Sequence, residues 1–519
     1  MFFNKKLPWE NRESVYKFIK NNINEYGKLT NDTLPDESLR VGENGIRWVA
    51  GAMDGVIGHH SSCQNIDKQL AMLIKKISVN ARKKDKIEFY NVVVEDNVLS
   101  IIDSTLQEIV KLDTRITNNL YEWCKFLVLE SPDRGAVKIG IALLGLIDAK
   151  EMLEEIKLLG IHEEFTLYVA VAISKLSDNV EQDIWELAKK TDGWGRISLV
   201  ERLANTENED IKYWILTQGY KNSILYEYLA LIAAETGNLK HALLAEKVDD
   251  IILENASIII RSLMSEGPCD GISIYKDAAE TIKLFLKHTV GRRDNLSYLL
   301  TYDAIYSYVS DKDIDCAKIK ENGWNEEICE NIINLVKEEL TNNEWKTLVL
   351  KRAKDIDDKE FWLTKQAAKI LNLDFFDVYW QRLNKEPLNS SNWYDIMDVA
   401  NINNINDILE FGLKNTSLSQ IATGPDTLLG LGLEFNLNNI LDFILQKLDQ
   451  FEGVGIPYII AGLKSPVIRN RNMAVLAIEN WGIDYIDDKL KNIIRESEKI
   501  EPDESVRQRL VELINRFIE

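Results

Sequence analysis

From about Asn97 onward, apolar side chains recur at steps of three and four, so that Leu99, Ile102, Leu106 and Ile109 share one helical face marked for burial. A polar break at Thr117-Asn118-Asn119 follows. A second face of Leu120, Trp123 and Leu127 comes next, and the run stops at Glu130-Ser131-Pro132-Asp133. The pattern predicts short amphipathic helices joined by short polar turns. Only nine prolines occur, most of them in turns such as Glu266-Gly267-Pro268 and Gly424-Pro425-Asp426, which agrees with a helical architecture. Residues 87–94 contain Phe89, Tyr90, Val92, Val93 and Val94, a strand-like composition with no partner strand nearby, and are expected to be helical.

One local arrangement returns. Ser131-Pro132-Asp133-Arg134-Gly135-Ala136-Val137-Lys138, leading into Ile141 and Leu144, reads as a turn with a cap and then an amphipathic helix whose basic residue follows a buried valine. Ser465-Pro466-Val467-Ile468 before Arg471 and Ala474 has the same order, as does Pro502-Asp503-Glu504-Ser505-Val506-Arg507 before Leu510 and Leu513. These segments resemble HEAT-type repeats, and Pro466 and Pro502 stand 36 residues apart, near the length of a two-helix unit. The expected fold is all-α: a HEAT-like α-solenoid over residues 91–519, with room for roughly ten units. Residues 1–90 differ in character, with Gly42, Gly45, Trp48, Gly51, Gly55 and Gly58 close together. They are expected to form an atypical N-terminal cap, because the outer face of a first repeat would otherwise be bare.

Composition narrows the classes of function. With 519 residues, 45% hydrophobic and 28% charged, the chain folds, and its length suits several domains or an elongated array. Apolar stretches such as Val137 to Ile147 fall short of the roughly 20 residues a membrane helix needs, so no membrane span is expected. The N-terminus lacks the apolar run of an export signal. Cys63, Cys124, Cys269, Cys316 and Cys329 are odd in number, widely spaced and free of any CxxC pair, which fits a reducing cytoplasm. A formal charge of −21 makes the average surface repel phosphate backbones and anionic lipids, so no nucleic-acid partner is expected. Lys75, Lys76, Arg82, Lys83, Lys84 and Lys86 are a local basic exception, read as a solvated helix end.

Familiar catalytic patterns are not met. Gly51-Ala52-Met53-Asp54-Gly55-Val56-Ile57-Gly58 spaces its glycines as GxxxGxxG, not the GxGxxG of a dinucleotide fold, and Gly430-Leu431-Gly432 and Gly453-Val454-Gly455 lack a third glycine. There is neither a phosphate loop ending in Gly-Lys-Ser or Gly-Lys-Thr nor a GxSxG elbow. Cys269-Asp270-Gly271 has part of a haem-thiolate loop, but Ser262 and Ser265 stand where that loop carries phenylalanine and glycine, so a turn is expected. His59, His60 and Cys63 are the candidate metal ligands, because two imidazoles beside a potential thiolate suit a soft metal. The set is incomplete without donors from elsewhere, and His162, His241 and His288 are isolated along the chain. Asp54 and Glu43 flank Trp48 and are read as surface acids in so acidic a chain, although a buried acid there would suit proton transfer. Trp185, Trp194, Tyr213 and Trp214 are expected in the core.

Leu7-Pro8-Trp9-Glu10-Asn11-Arg12, together with Gly45-Ile46-Arg47-Trp48-Val49-Ala50-Gly51-Ala52-Met53-Asp54-Gly55, resembles a bacterial family labelled limonene hydroxylase. The resemblance implies hydroxylation of the monoterpene limonene to carveol and perillyl alcohol, followed by NAD-dependent oxidation of these alcohols. It supplies no catalytic residue. Allylic hydroxylation needs a metal or another oxygen-activating centre, and a set such as His59, His60 and Asp54 has the types but no spacing that compels it. Two readings follow: a monoterpene oxidoreductase with a small hydrophobic terpene held between helices, or a non-catalytic solenoid scaffold that binds a protein or peptide on its concave face.

Overall fold

The computed structural model describes residues 7–38, 47–60, 68–95, 97–311, 323–355 and 359–516. Among them are 29 α-helices, numbered α1 to α29 in chain order, and no strand beyond two isolated bridges, Ile23 with Leu29 and Leu428 with Val467. The all-α, solenoid-like expectation holds. Backbone contacts divide the chain into two compact units, Met1–Asn342 and Asn343–Glu519.

In the first unit the polar breaks serve as caps. Asn97 accepts a hydrogen bond from the Leu99 amide to open α5 (Val98–Lys111), and Thr117 accepts one from Leu120 to open α6 (Asn118–Glu130). The buried face of α6 includes Leu120, Trp123 and Leu127 as the spacing predicts. On α5 the buried set is Val98, Ile101, Ile102, Thr105 and Ile109, so the face is turned from the expected one. Leu99 and Leu106 are only half-buried, because they border a groove. Residues 87–94 lie within α4 (Lys83–Glu95), with Phe89, Tyr90 and Val93 buried.

Helix α7 (Arg134–Leu146), expected to be amphipathic, is instead enclosed on nearly every side, its two cations Arg134 and Lys138 included. It packs against α4, α5, α6 and α9 (Glu163–Leu176). A β-carbon on Gly140 would stand 2.9 Å from Leu127, and one on Gly135 would strike the Val93 carbonyl, so only glycine admits these approaches. From α7 onward alternate helices stack in series: α9, α11 (Gly193–Glu201), α13 (Glu227–Glu235), α15 (Asp250–Leu263) and α17 (Leu296–Ser310) each touch the next.

In the second unit α22 (Ser390–Asp398), α25 (Asn436–Leu448), α27 (Ile468–Asn480) and α29 (Glu504–Arg516) form a similar series. The turn at Ser465 is locked by Asn438, which donates to Ser465 Oγ at 3.1 Å and Asn470 Oδ1 at 3.0 Å. The three recurring segments diverge in what their basic residue does. Lys138 and Arg471 are buried in ion pairs, whereas Arg507 is exposed beside Glu504. Among the described residues no helix is long and apolar enough to cross a membrane.

Candidate functional site

The segment that precedes α7 in sequence is fastened to the stack by buried charge. Arg134, at the first position of α7, donates from Nε and Nη2 to Asp36 Oδ1 at 3.0 and 2.9 Å, while its amide donates to Asp36 Oδ2 at 3.0 Å. The carboxylate thus serves the guanidinium and the helix N-terminus together. One turn later Lys138 Nζ lies 2.7 Å from Asp54 Oδ2 and 2.6 Å from Glu164 Oε1. Asp54 sits in α2 (Ala52–His60) and is buried, which corrects its reading as a surface acid. Glu164 also accepts the Gly51 amide at 3.1 Å and stands 3.5 Å from Arg134.

These groups set one another's charge. Burial alone would raise the Glu164 carboxyl, but Lys138 and Arg134 hold it well below the usual carboxylate range. Burial alone would lower Lys138, yet Glu164 and Asp54 keep its ammonium protonated. Next along α9, burial, with Asp192 adding to it, pushes the Glu163 carboxyl up to about 7. Neighbouring carboxyls on one helix turn therefore titrate in opposite directions. Burial and then the nearby Asp54 raise the Tyr168 phenol well above its ordinary value.

The two segments that carry the family resemblance make these contacts. Trp9 lies against Tyr90, Trp123 and Phe126 at ring distances of 4.8, 5.6 and 5.4 Å. Arg12 spans Asp133 with bonds of 2.7 and 2.8 Å, and Tyr90 donates to the same carboxylate at 2.7 Å. Arg47 pairs with Asp32 at 2.8 Å, and Trp48 is exposed. A β-carbon on Gly51, where φ is +73°, would lie 2.8 Å from the Glu163 carbonyl oxygen, and one on Gly55 would overlap the Trp194 indole. The glycine spacing therefore seats α2 on α9 and α11.

That seating bears on the cofactors. The Gly51 amide is already taken by the Glu164 carboxylate, and a pyrophosphate there would meet like charge, so this glycine segment does not fit a dinucleotide. His60 Nε2 is 2.9 Å from the Tyr228 hydroxyl, whereas His59 Nε2 is 3.5 Å from Glu201 and its ring lies against Trp194 and Tyr228. The two imidazoles share Tyr228 as a neighbour, their ring centres 6.1 Å apart, while Glu201 and Trp194 adjoin His59, and burial with His60 nearby lowers the His59 pKa. With Asp54 committed to Lys138, His59, His60 and Asp54 do not fit a facial iron triad. Cys63 and Glu43 lie outside the described residues. Among the described residues no three His, Cys, Asp or Glu side chains gather to hold a metal.

Two spaces adjoin across Leu167. A cavity of about 200 Å³ is lined by Gly55, His59, Glu163, Trp194 and Glu201. On the other side of Leu167 a groove of about 410 Å³ runs between α5, α7 and α9, floored by Leu99, Ile102, Leu106, Leu146 and Val171, with Asp103 and Lys175 among its polar lining. Leu146 and Val171 are exposed there by 39% and 49%. Of the four aromatics expected in the core, Trp194 is buried, Trp185 and Trp214 are half-buried edge to face, and Tyr213 is exposed. Glu163 and Glu164 do not stand out in the sequence, because two acids in the first turn of a helix ordinarily only complement its dipole.

Neither protein-family models, nor curated proteins, nor solved structures match this chain.

Proposed function

We propose that this chain is a non-catalytic helical-repeat binding protein, HEAT-like in kind, whose first unit takes an apolar segment of a protein or peptide in the groove between α5, α7 and α9. One observation carries the reading. The distinctive N-terminal residues Arg12, Arg47, Gly51, Asp54 and Gly55 are spent on internal contacts that hold the unit together, while Leu146 and Val171 stand exposed in the groove beside the half-buried Leu99 and Leu106. Helix-in-groove recognition needs such an apolar floor with charge at its rim, which Asp103 and Lys175 supply. Widely spaced thiols, with Cys124 buried and uncombined, suit action in a reducing cytoplasm.

A second reading is favoured by the dimensions of the same groove. A space of about 410 Å³ with a mostly aliphatic floor has the size and chemistry for a ten-carbon hydrocarbon, which supports limonene oxidation to carveol and perillyl alcohol as the family resemblance implies it. The deciding experiment incubates the purified full chain with limonene, NADH and oxygen, and separately with carveol and NAD, and compares it with Val171→Asp. Turnover that survives purification and vanishes in the variant supports the oxidoreductase. Absence of turnover, together with selection from a displayed peptide library of apolar-anchored peptides that bind the parent and not Val171→Asp, supports the binding protein.

A further inference from the structure

A second surface in the first unit lies apart from the groove. Helix α3 (Lys68–Asn80) turns Leu70, Leu73, Ile74 and Ile77 inward. On its outer side Lys75 and Lys76 both stand three or four residues from Met72 and from Val79, and all four are exposed. Arg82, Lys83 and Lys84 continue this surface where α3 gives way to α4, and are exposed as well.

The loop after α5 is pinned alongside. Lys75 Nζ donates to the Leu112 carbonyl at 2.7 Å, Ser78 Oγ donates to the Arg115 carbonyl, and Thr117 Oγ1 donates to the Ser78 carbonyl at 2.6 Å. These bonds bring Arg115 and Ile116 beside α3. The surface therefore mixes large apolar side chains, with Met72, Val79 and Ile116 exposed by 53%, 63% and 64%, with a group of cations among which Asp85 and Asp113 are interspersed. The bond that Lys75 makes is to a neutral carbonyl, so its charge stays uncompensated. A hollow of about 580 Å³ opens among Met72, Lys75, Lys76, Val79 and Arg82.

We infer that this face docks on an anionic lipid surface, with the ammonium and guanidinium groups among lipid headgroups and Met72, Val79 and Ile116 entering the acyl boundary. Charge complementarity selects an anionic occupant. The unbranched or aliphatic side chains standing singly between cations select lipid over nucleic acid, which would be gripped by polar and aromatic groups. The negative charge of the whole chain does not forbid this, because at physiological salt the Debye length is about 8 Å and only nearby charge is felt. The contact is peripheral, lying flat on the surface.

Co-sedimentation of the full chain tests the inference, using vesicles of phosphatidylcholine alone and vesicles containing about one third phosphatidylglycerol. Binding to the anionic vesicles is expected, with little to the neutral ones. The variant Lys75→Glu/Lys76→Glu/Arg82→Glu should lower partitioning at least about 100-fold, since each cation near such a surface contributes roughly fivefold. Met72→Asn/Val79→Asn should keep its low-salt binding and lose about tenfold of what survives in high salt. Circular dichroism checks that these exposed variants fold. No binding to anionic vesicles, or equal binding by the charge-reversed variant, overturns the inference. Binding to polyglutamate as tight as to vesicles and indifferent to Met72 and Val79 also overturns it, and makes the partner an acidic protein.

Discussion

Lys138 Nζ stands 2.7 Å from Asp54 Oδ2, with both side chains shut away from water, and this single bond ties the glycine-rich helix α2 to the enclosed helix α7. Because Lys138 also serves Glu164, its removal leaves two buried carboxylates facing an apolar side chain. Lys138→Met should lower the unfolding free energy of the first unit by about 3–5 kcal/mol. Urea unfolding followed by tryptophan fluorescence reads this, and a loss below about 1 kcal/mol would mean that water reaches the site.

Gly55 and Gly58 lie one turn apart on α2 and should respond oppositely. A side chain on Gly55 overlaps the Trp194 indole, whereas nothing stands within 4 Å of the β-carbon position on Gly58. Gly55→Val should therefore destabilise by about 1–3 kcal/mol, and combining it with Trp194→Ala should recover part of that loss. Gly58→Ala should be neutral or stabilising by up to about 1 kcal/mol. Purely additive effects in the double variant would show that helix and indole do not meet.

The paired arginines of the second unit make a similar contrast. Arg471 donates to Glu501 through Nε at 2.8 Å and Nη2 at 2.7 Å with both side chains enclosed, whereas Arg507 reaches Glu504 in the open. Arg471→Met should cost about 3–5 kcal/mol and Arg507→Met at most about 1 kcal/mol. Equal losses, measured by the unfolding of residues 343–519 within the full chain, would contradict the enclosed pair.

Glu163 should make the first unit less stable as pH rises. Its carboxyl titrates at about 7 in the folded chain and near the ordinary ~4.3 when unfolded, so between these values the native state holds a proton that the unfolded state has released. Stability from this group is whole below pH ~4 and is lost as pH rises through about 7, by at most roughly 3–4 kcal/mol and less as far as water reaches the half-buried carboxyl. Glu163→Gln should match the parent near pH 4 and exceed it at pH 8. A difference that stays flat across this range would place the Glu163 carboxyl in water. Glu164 acts in the opposite sense, its depressed carboxyl contributing stability that is lost as pH falls below the ordinary glutamate range.

What the sequence determined by itself is local. Helical periodicity and the polar breaks at Asn97 and Thr117 depend on neighbours within a turn or two and can be read from spacing, whereas residues 87–94 have a strand-like composition and read as helical only because no partner strand lies nearby. The exact face of α5 was less legible, because Leu99 and Leu106 are apolar for a groove instead of for the core, and periodicity does not separate these uses.

Only the tertiary structure decided where the charges lie. Asp54 meets Lys138 across 84 residues and Arg134 meets Asp36 across 98, and no spacing rule announces a partner at such a distance. An acid in an acidic chain is ordinarily solvated; Asp54 is buried because glycines at 51 and 55 let its helix approach α9 and α11 closely enough for Lys138 to neutralise it. For the same reason Gly51 and Gly55, whose spacing does not match a dinucleotide fingerprint, serve in the folded chain as the contact surface of a helix.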